Sequence, residues 1–455
     1  MSTIEIIIAS MLLSTTIASV SLLAIGNTRL IADSQLELFL LSDARLYLDD
    51  MEQAVVGSRE YSLSTTSRYT FAETEKVAYN SFSELLKTRI KLKNTSFGAP
   101  LSVTILAPDF GRARGEDICT IGDTWISPVV RGALTLNSNH SNTVKDIAVG
   151  GHFLYIASNA STVADPDLTI GEFEDPEHPT IISTLNTGPG LEAVKTAGTS
   201  AFAANTGVAG QLEIISIDNP NAPALQTTYK IPGVTISGGR GIGRTLAYKD
   251  KKVFIGLTKA DGPEFNIIDV SVTSTPSLLG SFETDTLINR IVPETGRTYI
   301  ATPESELMIL DTENLNVPLL LGSFTASGFG TQDGKSIALH GQRVILGRTV
   351  GGFNNPINHE LFILDPTDPS DIHTVASRDI AASVNDIVSN DNFLFLATGD
   401  PTKEFQVWNI SDETSPTLLE TVDLPGKAVR LICSHNLLFA AVETPPAVYI
   451  IGSTQ

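Results

Sequence analysis

The stretch FNIIDVSVTSTPSLLGSF, residues 265–282, holds an apolar strand pattern, a polar turn with a proline, and a second apolar strand. The same three-part unit returns as LEIISIDNPNAPALQTTY at 212–229, LMILDTENLNVPLLLGSF at 307–324 and FQVWNISDETSPTLLETV at 405–422. Equivalent positions are Leu168, Leu212, Phe265, Leu307, Leu361, Phe405 and Val448, spaced 42 to 54 residues apart. That spacing matches the roughly 40–50 residues of a four-stranded propeller blade. Two further strands precede each mark, as in KDIAVGGHFLYIAS, NDIVSNDNFLFLATG and AVRLICSHNLLFAAVE, joined by tight turns at Gly150-Gly151, Asp391-Asn392 and His435-Asn436. Seven marks predict seven blades.

The last unit, VYIIGSTQ, ends after its third strand, which would leave an open sheet edge. PVVRGALTL, Pro128 to Leu136, has the pattern of a fourth strand and precedes the first blade. It is expected to close the ring beside Val448 to Ile451. If the four strands of each blade alternate in direction, second-to-third loops and blade-to-blade connections share one face. The two longest insertions, IPGVTISGGRGIGR at 231–244 and TVGGFNNPINHE at 349–360, then lie on that face, joined by Asn159 to Asp167. Arg240, Arg244, Phe353, Asn354 and Asn355 are its candidate ligand or partner residues, because loops on a rigid scaffold carry binding. These units resemble the LVIVD-repeat family of bacterial surface propellers over about the last 320 residues, and that resemblance implies no activity.

The start of the chain differs in kind. The first proline is Pro100, so all 23 prolines lie in the later part, and only Gly26, Gly57 and Gly98 of 35 glycines come before it. Residues 6–28 carry no charge, enough for a bilayer-length helix of about 20 residues. Leu36, Leu40, Ala44, Tyr47, Met51 and Val55 continue at spacings of three and four, predicting one helix to Val56. Thr70 and Glu73 form a capping-box pattern for a second helix, TFAETEKVAYNSFSELLKTRIKLK, with LSVTIL at 101–106 as a strand. The reading is an α+β multidomain chain: a helix over 1–56, a small connector over 57–127 and an all-β propeller over 128–455.

Ser2, Thr3 and Glu5 do not make the basic start of a secretory signal. A first-turn acid or a Ser2–Glu5 capping box accounts for about 1 kcal/mol. Neither explains a lone carboxylate at the mouth of an apolar run, where burial costs several kcal/mol. STIEIIIASMLLSTTIASVSLL resembles the N-terminus of a mature type IV pilin, with Met1 and Glu5 at the family's first and fifth positions. The resemblance implies that Glu5 pairs with the Met1 amine of a neighbouring copy, N-methylated in that family, as helices bundle into a filament core. A leader glycine, a helix proline and a C-terminal cysteine loop, features of that family, are not in the sequence.

The formal charge of −21 makes nucleic acid and anionic membrane surfaces poor partners. Cys119 and Cys433 are the only cysteines, without zinc spacing, and allow one disulfide. GGRGIG lacks the GxGxxG spacing, the seven histidines are scattered, and Asp165, Asp167 and Asn390 to Asn392 read as solvated turns, so no cofactor, metal or catalytic site is expected. Two function classes follow. One is a homopolymeric filament subunit, inserted in the inner membrane before pilus machinery assembles it, that displays the propeller outside toward a surface or glycan target. The other is a membrane-anchored extracytoplasmic propeller acting as an enzyme or ligand-binding receptor.

Overall fold

The apolar alternation around each mark becomes the two middle strands of a sheet buried on both sides: Val253, Phe254 and Ile255 in one, Phe265, Ile267 and Ile268 in the next, all at most 4% exposed. The computed structural model describes residues 69–80, 83–92 and 102–108, and then 125 to 454 except 126, 137–142, 160–164, 327–332, 351–357, 391 and 435. The chain divides into two compact units, Met1–Arg114 and Gly115–Gln455.

In the first unit, the described residues form a three-stranded antiparallel sheet of Tyr69–Asn80, Ser83–Leu92 and Ser102–Pro108. The second expected helix is therefore a hairpin, with Tyr69 paired to Leu92 and Asn80 to Ser83. The helical spacing of Ala78, Phe82, Leu85, Leu86 and Ile90 competes there with a strict alternation, Leu86-Lys87-Thr88-Arg89-Ile90-Lys91-Leu92, that suits a strand. The described residues contain no helix, so the α+β class is corrected to all-β, and none of them is in a helix long and apolar enough to cross a membrane. The helix expected over 1–56 lies outside the described residues.

The second unit is a seven-bladed propeller of seven four-stranded antiparallel sheets. Blades 1 to 6 each use four consecutive strands, and blade 7 joins Ala428–Ser434, Leu437–Val442 and Ala447–Gly452 to Val129–Thr135. Closure falls beside Val448 to Ile451 as expected, and the register sets Val448 opposite Leu134 and Ile451 opposite Val130. Trp125, 1% exposed, sits just before the closing strand, edge-on to Phe395 at 4.9 Å, and its Nε1 donates to Asn436 Oδ1 at 3.3 Å. Most of the core lies between blades: Phe202, Leu212 and Ile214 of blade 2 pack on Leu246, Val253 and Ile255 of blade 3. Each such side chain contributes about 1.5–3 kcal/mol on burial.

The repeated turn chemistry has a direct cause. Third strands end in Asp269, Asp311, Asp365 and Asn409, whose Oδ1 atoms accept the N–H two residues on at 2.8–2.9 Å, which closes the proline-containing turn. In the LGSF segments the glycine is required by the next blade. A Cβ on Gly280 would stand 2.1 Å from the Leu315 carbonyl oxygen, and one on Gly322 would stand 1.7 Å from that of Pro369.

Candidate functional site: the loop face and the axial channel

Blade-to-blade connections and second-to-third loops do share a face. The residue just after the second strand donates its N–H to the preceding connection in five blades: Thr206 to Gly190, Thr258 to Ile242, Thr349 to Asp333, Gly399 to Ser383 and Glu443 to Lys427, at 2.9–3.1 Å. A second device holds the same face. In blades 1 to 6 the residue at the entrance to the third strand is Asp167, Gln211, Glu264, Glu306, Glu360 or Glu404, just before the strand in five of them and its first residue, Glu306, in blade 4, each at most 3% exposed. Its side chain accepts the backbone N–H found 20 residues later, that of Thr187, Ile231, Thr284, Ala326, Ile380 or Leu424, at 2.9–3.1 Å. Bonds to an ionised carboxylate contribute about 1.5–3 kcal/mol each, and the neutral one to Gln211 about 0.5–1.5 kcal/mol. They fix the loops to the blades.

Arg240 and Arg244 separate in the structure. Arg240 is exposed on a tight turn, paired with Ser237 through backbone bonds of 3.0 and 3.2 Å, and its guanidinium is 3.8 Å from Asp261. Arg244 is the second residue of the innermost strand Gly243–Lys249 and donates from Nη2 to Asn289 Oδ1 at 2.8 Å. Phe353, Asn354 and Asn355 lie outside the described residues, as do Met1, Glu5 and Cys119. Cys433, 3% exposed, is disulfide-bonded.

Strand patterning within single blades does not reveal the axis. The seven innermost strands stand side by side in a closed ring around the axis. In six of them the pairing register shifts by one residue at the loop-face end, between Val144 and Asp146, Gly243 and Thr245, Gly334 and Ser336, Val384 and Asp386, Ala428 and Arg430, and opposite Ala204/Asn205 in blade 2. Such bulges re-aim side chains at the rim of a barrel. They occur where Lys145, Glu192, Arg244, Lys335 and Asn385 interrupt otherwise apolar strands.

Just inside these bulges lies an ion network. Asp146, 2% exposed, has Arg430 Nε at 3.3 Å, Lys195 Nζ at 3.6 Å and the Val194 N–H at 3.0 Å. Asp386, fully buried, has Arg290 Nη2 at 3.2 Å and the Leu431 N–H at 3.0 Å. Arg290 belongs to blade 4 and Asp386 to blade 6, so that pair skips a blade. Burial opposes ionisation of Asp146, but Lys195, Arg430 and Arg290 together hold its carboxyl below the ordinary range. Burial lowers the Lys195 ammonium in turn, against the pull of Asp146.

Nearer the mouth is Lys335, which has no hydrogen-bond or ion-pair partner among the described residues. Burial pushes its ammonium down to about 8, reinforced by the charges of Lys427, Arg430 and Arg244 and opposed by Asp333. Among the described residues no group of three or more His, Cys, Asp or Glu side chains could hold a metal ion. A shallow depression lined by Glu172, Glu174, Asp175, His178 and Thr180 lies at the outer turn of blade 1, away from the axis. It brings charged groups together without burying them.

Residues 142–187 and 260–284 match the LVIVD repeat, the first spanning blade 1 and the second the outer half of blade 3. No curated protein matches the chain. Among solved structures the chain is similar to one in the crystal structure of the mitotic checkpoint complex, at 10% identity and a TM-score of 0.51, covering 72% of this chain and 93% of that one. It is also similar to the WD40 beta propeller domain of Doa1, at 12% identity and a TM-score of 0.50, covering 72% and 97%. At such identities the likeness shows the fold alone. LVIVD repeats in a seven-bladed β-propeller are what the chain carries.

Proposed function

We propose that this LVIVD-repeat propeller is displayed on the outside of a pilus-like extracellular filament, for adhesion or surface contact, by a chain that polymerises through its N-terminal segment. One observation carries the reading: Glu5 stands before a segment without charge until Arg29, in the same chain as a rigid, loop-faced propeller. A carboxylate at that place is costly to bury alone and tolerable beside an ammonium. In the pilin manner, Glu5 of one copy pairs with the Met1 amine of the next, which sets the stagger between copies. Partners on this reading are further copies of the chain, an assembly machinery in the inner membrane, and a surface or glycan target at the loop face.

A tethered propeller that binds a ligand is the second reading, and the axial cations favour it. Electron microscopy of filaments sheared from the source cells, with mass spectrometry of the N-terminal peptide, separates the two. Filaments built of this chain that begin at an N-methylated Met1 and disappear in Glu5→Ala support polymerisation. A protein that stays monomeric in membranes and is indifferent to Glu5→Ala overturns it.

A further inference from the structure

The axial channel carries a charge pattern opposite to that of the chain. Its mouth and the layer beneath hold seven cations, Lys145, Lys195, Arg244, Arg290, Lys335, Lys427 and Arg430, against the five acids Asp146, Glu192, Asp333, Asp386 and Glu443, in a protein of net charge −21. Most of these have partners. Lys195 and Arg430 share Asp146, Arg290 has Asp386, and Lys145 and Lys427 share Glu443 at 3.3 Å.

Among the described residues, two of these cations lack a carboxylate partner within ion-pair distance. Arg244 reaches only the neutral Asn289 amide, whose Nδ2 donates to the Gly334 carbonyl at 2.7 Å, and the buried Arg244 Nε has no hydrogen-bond partner among the described residues. Lys335 follows Gly334 directly. The amide of Asn289 thus ties the Arg244 guanidinium to the backbone that carries Lys335, and brings two under-satisfied cations from blades 3 and 5 to one side of the channel mouth. Glu192 and Asp333 moderate the field there, but around Lys335 three cations act against Asp333 alone. A buried cation without a counter-charge costs more than one that is paired.

We propose that the mouth of the axial channel binds a small oxyanionic group, a carboxylate or a phosphate, between Lys335 and Arg244, with Arg430 and Lys427 adding charge from blade 7. The guanidinium supplies a planar fork and the ammonium a point charge, the two donor types that such groups accept. Arg244 and Lys335 are each the second residue of an innermost strand, at its loop-face end, the side from which a ligand attached to a larger molecule or surface would approach. It stands whether or not the chain polymerises.

The test is isothermal titration calorimetry of the full chain with inorganic phosphate and with citrate at low ionic strength. The expected result is saturable binding of at least one, weakened about tenfold or more by Lys335→Gln and by Arg244→Gln, which is the loss of one charge-assisted contact. Lys335→Arg retains binding. Arg343→Gln, which removes an equal charge from the Asp365 and Glu413 pair beside a first-to-second turn, leaves it unchanged. Binding also weakens at pH 9.5, where a Lys335 ammonium near 8 is neutral while Arg244 stays charged. Phosphate alone assigns a phosphoryl ligand, and citrate alone a carboxylate. No saturable binding of either, or affinities equal across all four variants, overturns the proposal.

Discussion

Removing Arg348 from the propeller should cost several kcal/mol and leave a pH signature. Arg348 is 2% exposed and Glu306 3%, and their charged atoms meet at 2.7 Å. Arg348 also donates from Nη1 to the His359 carbonyl at 2.9 Å and lies 5.2 Å above the Phe362 ring. The other Glu306 oxygen accepts the Ala326 N–H at 3.0 Å, so the pair links a blade-to-blade connection to blade 5. Arg348→Met keeps much of the volume but leaves a buried carboxylate without its counter-charge, which costs about 3–5 kcal/mol. For a domain of this size that is roughly 5–10 °C in melting temperature. Burial already pushes the Glu306 carboxyl up, and the Arg348 charge is among the groups that hold it down. Without Arg348 it rises further, and a raised carboxyl favours the fold below its unfolded value of about 4.3 and loses that contribution as pH rises through the folded value. The deficit of Arg348→Met should therefore shrink from pH 7.5 to pH 5. Glu306→Gln keeps the acceptor for Ala326 and removes the charge, so the double variant should recover about half of the loss. Thermal and urea unfolding of the four proteins at both pH values measures this. A loss under about 1 kcal/mol, or single effects that simply add, refutes the reasoning.

Burial drives Glu213 up to about 7, helped by the Asp167 charge and opposed by the nearby Thr187. Its contribution is therefore present below about 4.3 and lost as pH rises toward 7, so Glu213→Gln should match the parent near pH 4 and exceed it by up to roughly 3 kcal/mol at pH 7.5. Melting curves across that window check it, and a difference that does not change with pH contradicts it. Trp125→Ala removes the ring packed on Phe395 and Phe405 beside the closing strand. The expected loss is about 3–5 kcal/mol with faster proteolysis near Val129–Thr135, partly restored by Trp125→Phe, and an unchanged melting point excludes a clamp role for Trp125.

What the sequence made legible follows from locality. The seven marks, the proline turns and the closing strand each lie within a few residues of one another, and the structure places Leu168, Phe265 and Phe405 at the starts of third strands. The shared loop face followed from strand direction alone. The connector is ambiguous in sequence because Thr70 and Glu73 fit a helix cap while Leu86 to Leu92 alternate as a strand does, and short segments satisfy both patterns. The buried clamps do leave a signal in the sequence: an acid or amide directly before six of the seven marks, Asp167, Gln211, Glu264, Glu306, Glu360 and Glu404. The channel had a fainter one. Arg244, Lys335 and Arg430 are far apart in the chain, and only the closed ring brings blades 3, 5 and 7 to one axis. Arg244 was legible as a candidate residue but not as an axial one, because a one-residue bulge separates those two places.

These clamps bear on why an acidic protein can hold a cationic axis. Glu264, Glu306, Glu360 and Glu404 are charges fixed in the frame, each engaged by a backbone N–H, so part of the negative charge serves to hold the loop face still. Surface charges are screened within about 8 Å at physiological salt. The axial groups interact at 3.2–3.6 Å inside the ring, where screening is weak, and so the local excess of cations rather than the total of −21 decides what enters. The inner strands that carry Lys335 and Arg244 are held in the closed ring, so an ammonium without a hydrogen-bond or ion-pair partner among the described residues is pre-organised for an anion there. On that logic Glu360→Gln, which weakens the clamp to Ile380 and Ala381 next to blade 6, should lower anion affinity at the axis without touching it, whereas Glu264→Gln in blade 3 should act through Arg244. Equal affinity in both variants would mean that the inner ring holds the site by itself, independent of the loops.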